Sequence, residues 1–223
     1  MIYLMKNKRN NNKSNLSLKD IYPKNEKQND VLTSKRNLVL MGSAGTGKTY
    51  LASYLAFKAL MRDEYDKVVY IRSAVPTRDI GFLPGTEKEK MEVYTKPYVD
   101  ICQELFNCGT AYQSLEREGK IAFEPTSFVR GRTFRSSFVI VDECQNMTLH
   151  ELDSIITRLD DDSKIVFCGD TNQADLINNG FHTFYSIISS MSEFDTVQFG
   201  IEDVVRGGIV KEYLIKKEKY FKK

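Results

Sequence analysis

At 223 residues, with 41% hydrophobic and 28% charged side chains, the chain suits one sizeable folded domain and is too apolar for a wholly disordered protein. A formal net charge of +2 makes no bulk electrostatic case for nucleic acid; the Lys/Arg-rich segments at the two ends carry what basic character there is. Four scattered cysteines with no C-x-x-C pair, and only two histidines, argue against a disulfide framework and a zinc cluster. No apolar run reaches the length of a signal-peptide core or a membrane span, so a cytoplasmic protein with reduced, buried thiols is expected.

Residues 1–20, dominated by Asn, Lys and Ser, are read as a basic polar arm with little to bury. From there to residue 215, short β-branched runs alternate with helix-period segments. Strands are expected at 37–41, 67–71, 138–141, 164–168 and 196–201, with a further candidate at 121–124 that Pro125 ends. Helices are expected at 49–62, 87–107, 149–159, 181–192 and 209–219. Near-continuous hydrophobicity in the strands and regular alternation with helices predict an α/β domain, a doubly wound, mainly parallel sheet covered on both faces. Between 73 and 85, two prolines and two glycines around Phe82-Leu83 break the alternation and read as a long shaped loop. Residues 216–223 form a basic tail.

The first strand runs into Gly42-Ser43-Ala44-Gly45-Thr46-Gly47-Lys48-Thr49, and Tyr50 continues into a helix. This fits G-x-x-x-x-G-K-[ST] in its strand–loop–helix context, so Gly42 to Tyr50 is the candidate nucleotide-binding segment. Its glycines let successive backbone N–H groups turn toward an anion, and the helix N-terminus adds a positive end. Lys48 is expected at the terminal phosphates, and the Thr49 hydroxyl at Mg²⁺. A second run, Phe138-Val139-Ile140-Val141, ends in Asp142-Glu143. Asp142 is the candidate metal-side acid, and Glu143 the candidate base for the attacking water. A third, Ile165-Val166-Phe167-Cys168, leads into Gly169-Asp170-Thr171-Asn172-Gln173, where Gln173 is placed to sense the γ-phosphate.

Asp142-Glu143-Cys144-Gln145 followed by Gly169-Asp170-Thr171-Asn172-Gln173 resembles the D-E-x-Q and G-D-x-x-Q motifs of superfamily 1 helicases. Gly45–Ala52, Gly81-Phe82-Leu83-Pro84-Gly85, Arg130-Gly131-Arg132-Thr133 and Asp203-Val204-Val205-Arg206 narrow the resemblance to the PhoH-like family, over nearly the whole chain. The Asn/Lys-rich, short build is similar to bacteriophage members of that family. The resemblance implies a RecA-like P-loop ATPase using ATP and Mg²⁺, linked to RNA. Some relatives carry an added nuclease-like domain; none is read in these residues, and ribonuclease activity is not expected. Cys144 departs from the family's usual Ala and puts a thiol beside two acids, whose field disfavours thiolate.

Helicase-like ATPases often place a glutamine upstream of the P-loop, which makes Gln28 the candidate reader of adenine. Two-domain helicases supply an arginine to the γ-phosphate from a second motor domain, and no room for one is read here. Arg206 is the candidate instead, acting on its own site or a neighbour's in a homo-oligomer, in the family's manner a hexameric ring. Arg130 and Arg132 compete for that role, and a local pairing of Arg206 with Asp203 is the alternative. Single-stranded RNA or a ribonucleoprotein is the expected partner. Arg72, Arg78, Lys88, Lys90, Arg130 and Arg132 are candidate phosphate contacts, and Phe82 a stacking platform. A nucleotide-switched scaffold with little turnover and, with less support, a small-molecule kinase share the same phosphate-binding residues.

Overall fold

The computed structural model describes residues 16–73, 87–170 and 180–221, at 87–90, 218 and 221 by backbone alone. Six strands, β1 (Asn37–Gly42), β2 (Lys67–Arg72), β3 (Ile121–Pro125), β4 (Ser137–Val141), β5 (Lys164–Gly169) and β6 (Phe194–Phe199), pair in the order β3-β2-β4-β5-β1-β6. Every pairing is parallel. The inner strands divide their side chains between two cores: Leu38 and Leu40 of β1 go to one face, Val39 and Met41 to the other. Val68 and Tyr70 against Val69 and Ile71 in β2, and Phe138 and Ile140 against Val139 and Val141 in β4, repeat that division. Burial on both faces is what an all-parallel sheet requires, and it explains why these strands read as unbroken apolar runs.

Helices α1 (Glu26–Thr33), α2 (Lys48–Met61), α3 (Glu87–Phe106) and α4 (Ala111–Arg117) cover the first face through Val31, Phe57, Tyr98, Leu105 and Leu115. Helices α5 (Leu149–Ile156) and α6 (Phe181–Ser189) cover the second through Leu152, Ile155, Phe181 and Phe184. Each such large apolar side chain taken out of water contributes roughly 1.5–3 kcal/mol. The last helix, α7 (Gly208–Phe221), packs beside the short 3₁₀ turn Ile201–Asp203 and joins neither core.

Local chemistry sets the boundaries. Asn25 caps α1 by accepting from the Gln28 backbone N–H at 2.9 Å. Thr148 and Glu151 form a capping box at the start of α5. The helix expected at 149–159 stops at Ile156 because Leu159 forms a parallel bridge with Phe134. The strand expected at 196–201 lies two residues earlier, at Phe194–Phe199, since Ile201 belongs to the 3₁₀ turn. Helix α4 was not expected at all. The end of the polar arm, residues 16–20, belongs to the body: Leu16 and Leu18 pack on the first core, and the Lys19 N–H donates to the Leu105 carbonyl at 2.9 Å. Because all six strands run parallel, the carboxyl ends of β1, β2, β4 and β5 lie along one edge of the sheet, where open α/β folds bind ligands.

Candidate nucleotide-binding site

The loop after β1 begins at Gly42, with φ +130°. A Cβ at Gly42 would stand 2.0 Å from the Phe199 carbonyl oxygen, so β6 can close against the loop only because this residue is glycine. Inside the loop the Thr46 hydroxyl donates to the Ser43 carbonyl at 3.0 Å. Lys48 Nζ donates to the carbonyl oxygens of Gly42 (2.6 Å) and Ser43 (3.0 Å), which lays the ammonium across the loop. Val205 N–H donates to the Gly45 carbonyl at 3.1 Å, and a Cβ at Gly45 would lie 3.3 Å from Arg206 Cδ. Arg206 therefore rests on its own P-loop. Asp203, the alternative partner, instead uses Oδ2 to hold Lys27 at 2.6 Å and to accept the Gly200 N–H at 2.8 Å.

Asp142 leaves β4 buried, with both carboxylate oxygens engaged. Oδ1 accepts from the Thr49 hydroxyl at 2.9 Å, and Oδ2 from the Tyr98 hydroxyl at 3.0 Å. Tyr98 is fully buried on α3, stacked on Tyr70 with ring centroids 4.3 Å apart. Burial pushes the Asp142 carboxyl above the usual carboxylate range and the Glu143 charge adds to that push; Thr49, Arg72 and Tyr98 oppose it. Arg72, half-buried at the end of β2, is pulled down by burial, but the fields of Tyr98, Asp142 and Glu143 outweigh that and hold it above its ordinary value. It stands among the acids of the site. No motif marks Tyr98; in the sequence it is one more aromatic on a helix, and its bond to Asp142 spans 44 positions.

Glu143 takes a left-handed backbone (φ +53°, ψ 39°), uncommon for a residue with a side chain and concentrated at functional sites. A 3₁₀ turn, Cys144–Asn146, follows and brings Gln145 back against it: Gln145 Nε2 donates to Glu143 Oε2 at 2.7 Å, and Gln145 Oε1 accepts the Asp170 N–H at 3.0 Å. Cys144 and Cys168 are buried, and burial followed by the charge of Asp142 pushes both thiols well up, in line with the sequence expectation for Cys144.

A cavity of about 1020 Å³ opens at this edge, ample for a nucleoside triphosphate. Lys48, Thr49, Asp142, Glu143 and Arg206 line it together with Ala44, Gly45 and Gly47. Ile21, Tyr22, Gln28, Tyr50 and Ile101 also line it. The buried Gln28 amide is engaged by backbone at both ends: Nε2 donates to the Thr46 carbonyl at 3.1 Å and Oε1 accepts the Lys24 N–H at 2.9 Å. It thereby ties the P-loop to the segment 19–24, which the sequence did not mark as part of a site. The Tyr50 hydroxyl donates to Glu104 at 2.9 Å, and Lys19 pairs with the same carboxylate at 2.9 Å.

The remaining candidates lie elsewhere. Arg130 contacts His150 Nε2 at 2.6 Å and Arg132 pairs with Glu124, both on the loop after β3 and outside the cavity lining. Gln173, Arg78 and Phe82 fall outside the described residues, and Lys88 and Lys90 are described by backbone alone, in the first turn of α3. No group of three or more His, Cys, Asp or Glu side chains converges on a metal position among the described residues. The oxygen pair of Thr49 and Asp142 instead suits a hard cation that takes one or two protein oxygens and completes its shell with phosphate and water.

An all-parallel sheet with a P-loop on one strand and an acid pair two strands away defines a P-loop nucleotide-binding domain of the ATPase type. The family described as PhoH-like protein matches residues 20–216. The chain belongs to this PhoH-like family. It is 37% identical over 175 residues to a PhoH-like protein of Synechocystis, covering 77% of this chain and 53% of that protein. It is 34% identical over 190 residues to one of Bacillus subtilis (82% and 59%), and 31% identical over 188 residues to protein PhoH of Escherichia coli (82% and 53%). The chain thus spans little more than half the length of these relatives. Among solved structures, the large terminase of a thermophilic bacteriophage shares the fold at a TM-score of 0.51 and 14% identity, covering 85% of this chain and 49% of the terminase. The complex of that terminase with ADP matches at 0.50 and 15% identity, covering 85% and 48%. No helix among the described residues is long and apolar enough to cross a membrane.

Proposed function

We propose that the chain is a Mg²⁺-dependent ATPase of helicase type, coupling ATP hydrolysis to remodelling of single-stranded RNA or a ribonucleoprotein. The observation that carries the ATPase part is the Thr49–Asp142 bond of 2.9 Å, with Glu143 in the same cavity. That bond brings the end of the P-loop and the end of the acid strand to one point. Thr49 and Asp142 would hold Mg²⁺, which when bound neutralises charge on the phosphate oxygens. Loop N–H groups and Lys48 bind the phosphates, the ammonium exchanging the Gly42 and Ser43 carbonyls for phosphate oxygens. Glu143 takes the proton of the attacking water, and Gln173 reads the γ-phosphate. Arg206, already against Gly45, supplies positive charge as the γ-phosphate departs. No covalent intermediate is needed; positioning and electrostatics do the chemistry.

The RNA part rests on the D-E-x-Q and G-D-x-x-Q pair and on Arg130 and Arg132 at the same edge of the sheet. Phosphate release should require Mg²⁺, stop with EDTA, and rise on adding single-stranded RNA, more strongly at low salt than at high. Release indifferent to RNA would remove the coupling, and tight ATP occupancy without release would favour the nucleotide-switched scaffold. Assembly into a ring, with Arg206 reaching its own or a neighbouring site, predicts a molar mass in solution several times 25.6 kDa, responsive to ATP. A monomer with full turnover would contradict it.

A further inference from the structure

The contact between Gln145 and Glu143 has a geometry that the hydrolytic site alone does not require. Gln145 is 1% exposed. Its orientation is fixed by chemistry: only the amide oxygen can accept the Asp170 N–H, so the amide NH₂ is turned to Glu143 Oε2. Three local features build this arrangement. The left-handed Glu143 and the 3₁₀ turn after it, closed by Asn146 N–H on the Glu143 carbonyl at 2.9 Å, let a residue two positions on reach back to the carboxylate. Gly169 lets the end of β5 come close: a Cβ there would stand 2.7 Å from Cys144 Sγ and 3.0 Å from Gln145 Oε1. Asp170 and Glu143 both line the cavity.

We propose that Gln145 is a positioning residue, whose buried amide ties the Glu143 carboxylate to the backbone of Asp170, so that the end of β5 sets where the base stands. This rests on the reading of Glu143 as the base. One carboxylate oxygen is held by a neutral donor that cannot take its proton, so the tether fixes direction without competing as an acid. Displacement of Asp170 when the cavity fills would be passed to Glu143 through a single side chain.

The test compares wild type, Gln145→Met, Glu143→Gln and the double variant by steady-state phosphate release, ATP affinity and amide hydrogen exchange at Asp170. Gln145→Met keeps the volume and should lower kcat about tenfold or more, within the 10²–10⁴-fold worth of a positioned base, while ATP affinity stays within about twofold. The double variant should be no slower than Glu143→Gln alone, since the role proposed for Gln145 runs through that carboxylate. Asp170 should exchange faster in Gln145→Met with the rest of β5 unchanged. Unaltered kcat in Gln145→Met, or losses that multiply in the double variant, overturns the proposal. If Gln145→Met fails to fold, Gln145→Leu makes the same comparison with a second neutral side chain that offers Glu143 no donor, and kcat should fall likewise while ATP affinity is kept. Wild type that releases no phosphate contradicts the ATPase reading and this proposal together; wild type that hydrolyses ATP with multiplying losses contradicts this proposal alone.

Discussion

Asp142 carries a charge where the fold least favours one. Its folded pKa is raised by burial and by Glu143, so between the unfolded and folded values the native state binds the extra proton. That contribution to stability is present at low pH and is lost as pH rises through the folded value. Asp142→Asn should therefore raise the melting temperature of the nucleotide-free protein at neutral pH, by a margin that shrinks as pH is lowered, while Mg²⁺-dependent turnover disappears. Melting curves across pH check the first half; a variant less stable than wild type at every pH would contradict it. At this scale the site was legible where its chemistry is local. Gly42 to Thr49 and Asp142-Glu143 are contiguous strings whose spacing is itself the signal. Tyr98 and Arg72 were not read as partners of Asp142, because the contact depends on how α3 and β2 come together. Gln28 was read as an adenine contact, and the structure adds that its amide braces Thr46 and Lys24.

Among the elements, β1 and its loop carry the tightest constraint. Gly42→Ala forces a side chain into positive φ and against the Phe199 carbonyl, and backbone strain and a steric clash are each severely destabilising. A loss of at least about 3 kcal/mol is expected, read from urea midpoints, together with loss of nucleotide binding. Thr148→Ala, which removes the α5 cap outside the cavity lining, should cost about 1 kcal/mol and leave nucleotide binding intact. Equal effects of the two substitutions would show that the β1–β6 contact is looser than described. The four inner strands were readable because burial on both faces confines their polar residues, such as Asn37, Lys67, Ser137 and Lys164, to the strand ends. The β6 edge was misplaced by two residues because its alternating Asp195, Thr196 and Gln198 dilute the apolar signal. Helix α4, seven residues long, is too short to show a period.

For the whole molecule, the parallel order of strands is what turns separate motifs into one cavity, and that assembly predicts linkage. ATP with Mg²⁺ should stabilise the fold by about 2.7 kcal/mol at a hundred times Kd, and EDTA should take back much of the shift. An unchanged melting temperature at saturating Mg²⁺–ATP would mean the cavity is not the nucleotide site. Hydrolysis depends on Glu143 being a base rather than an acid beside a binding site. ATP affinity and steady-state phosphate release, measured side by side for wild type and Glu143→Gln, decide this assignment: affinity should stay within about threefold while turnover falls a hundredfold or more. Undiminished turnover in Glu143→Gln would contradict it.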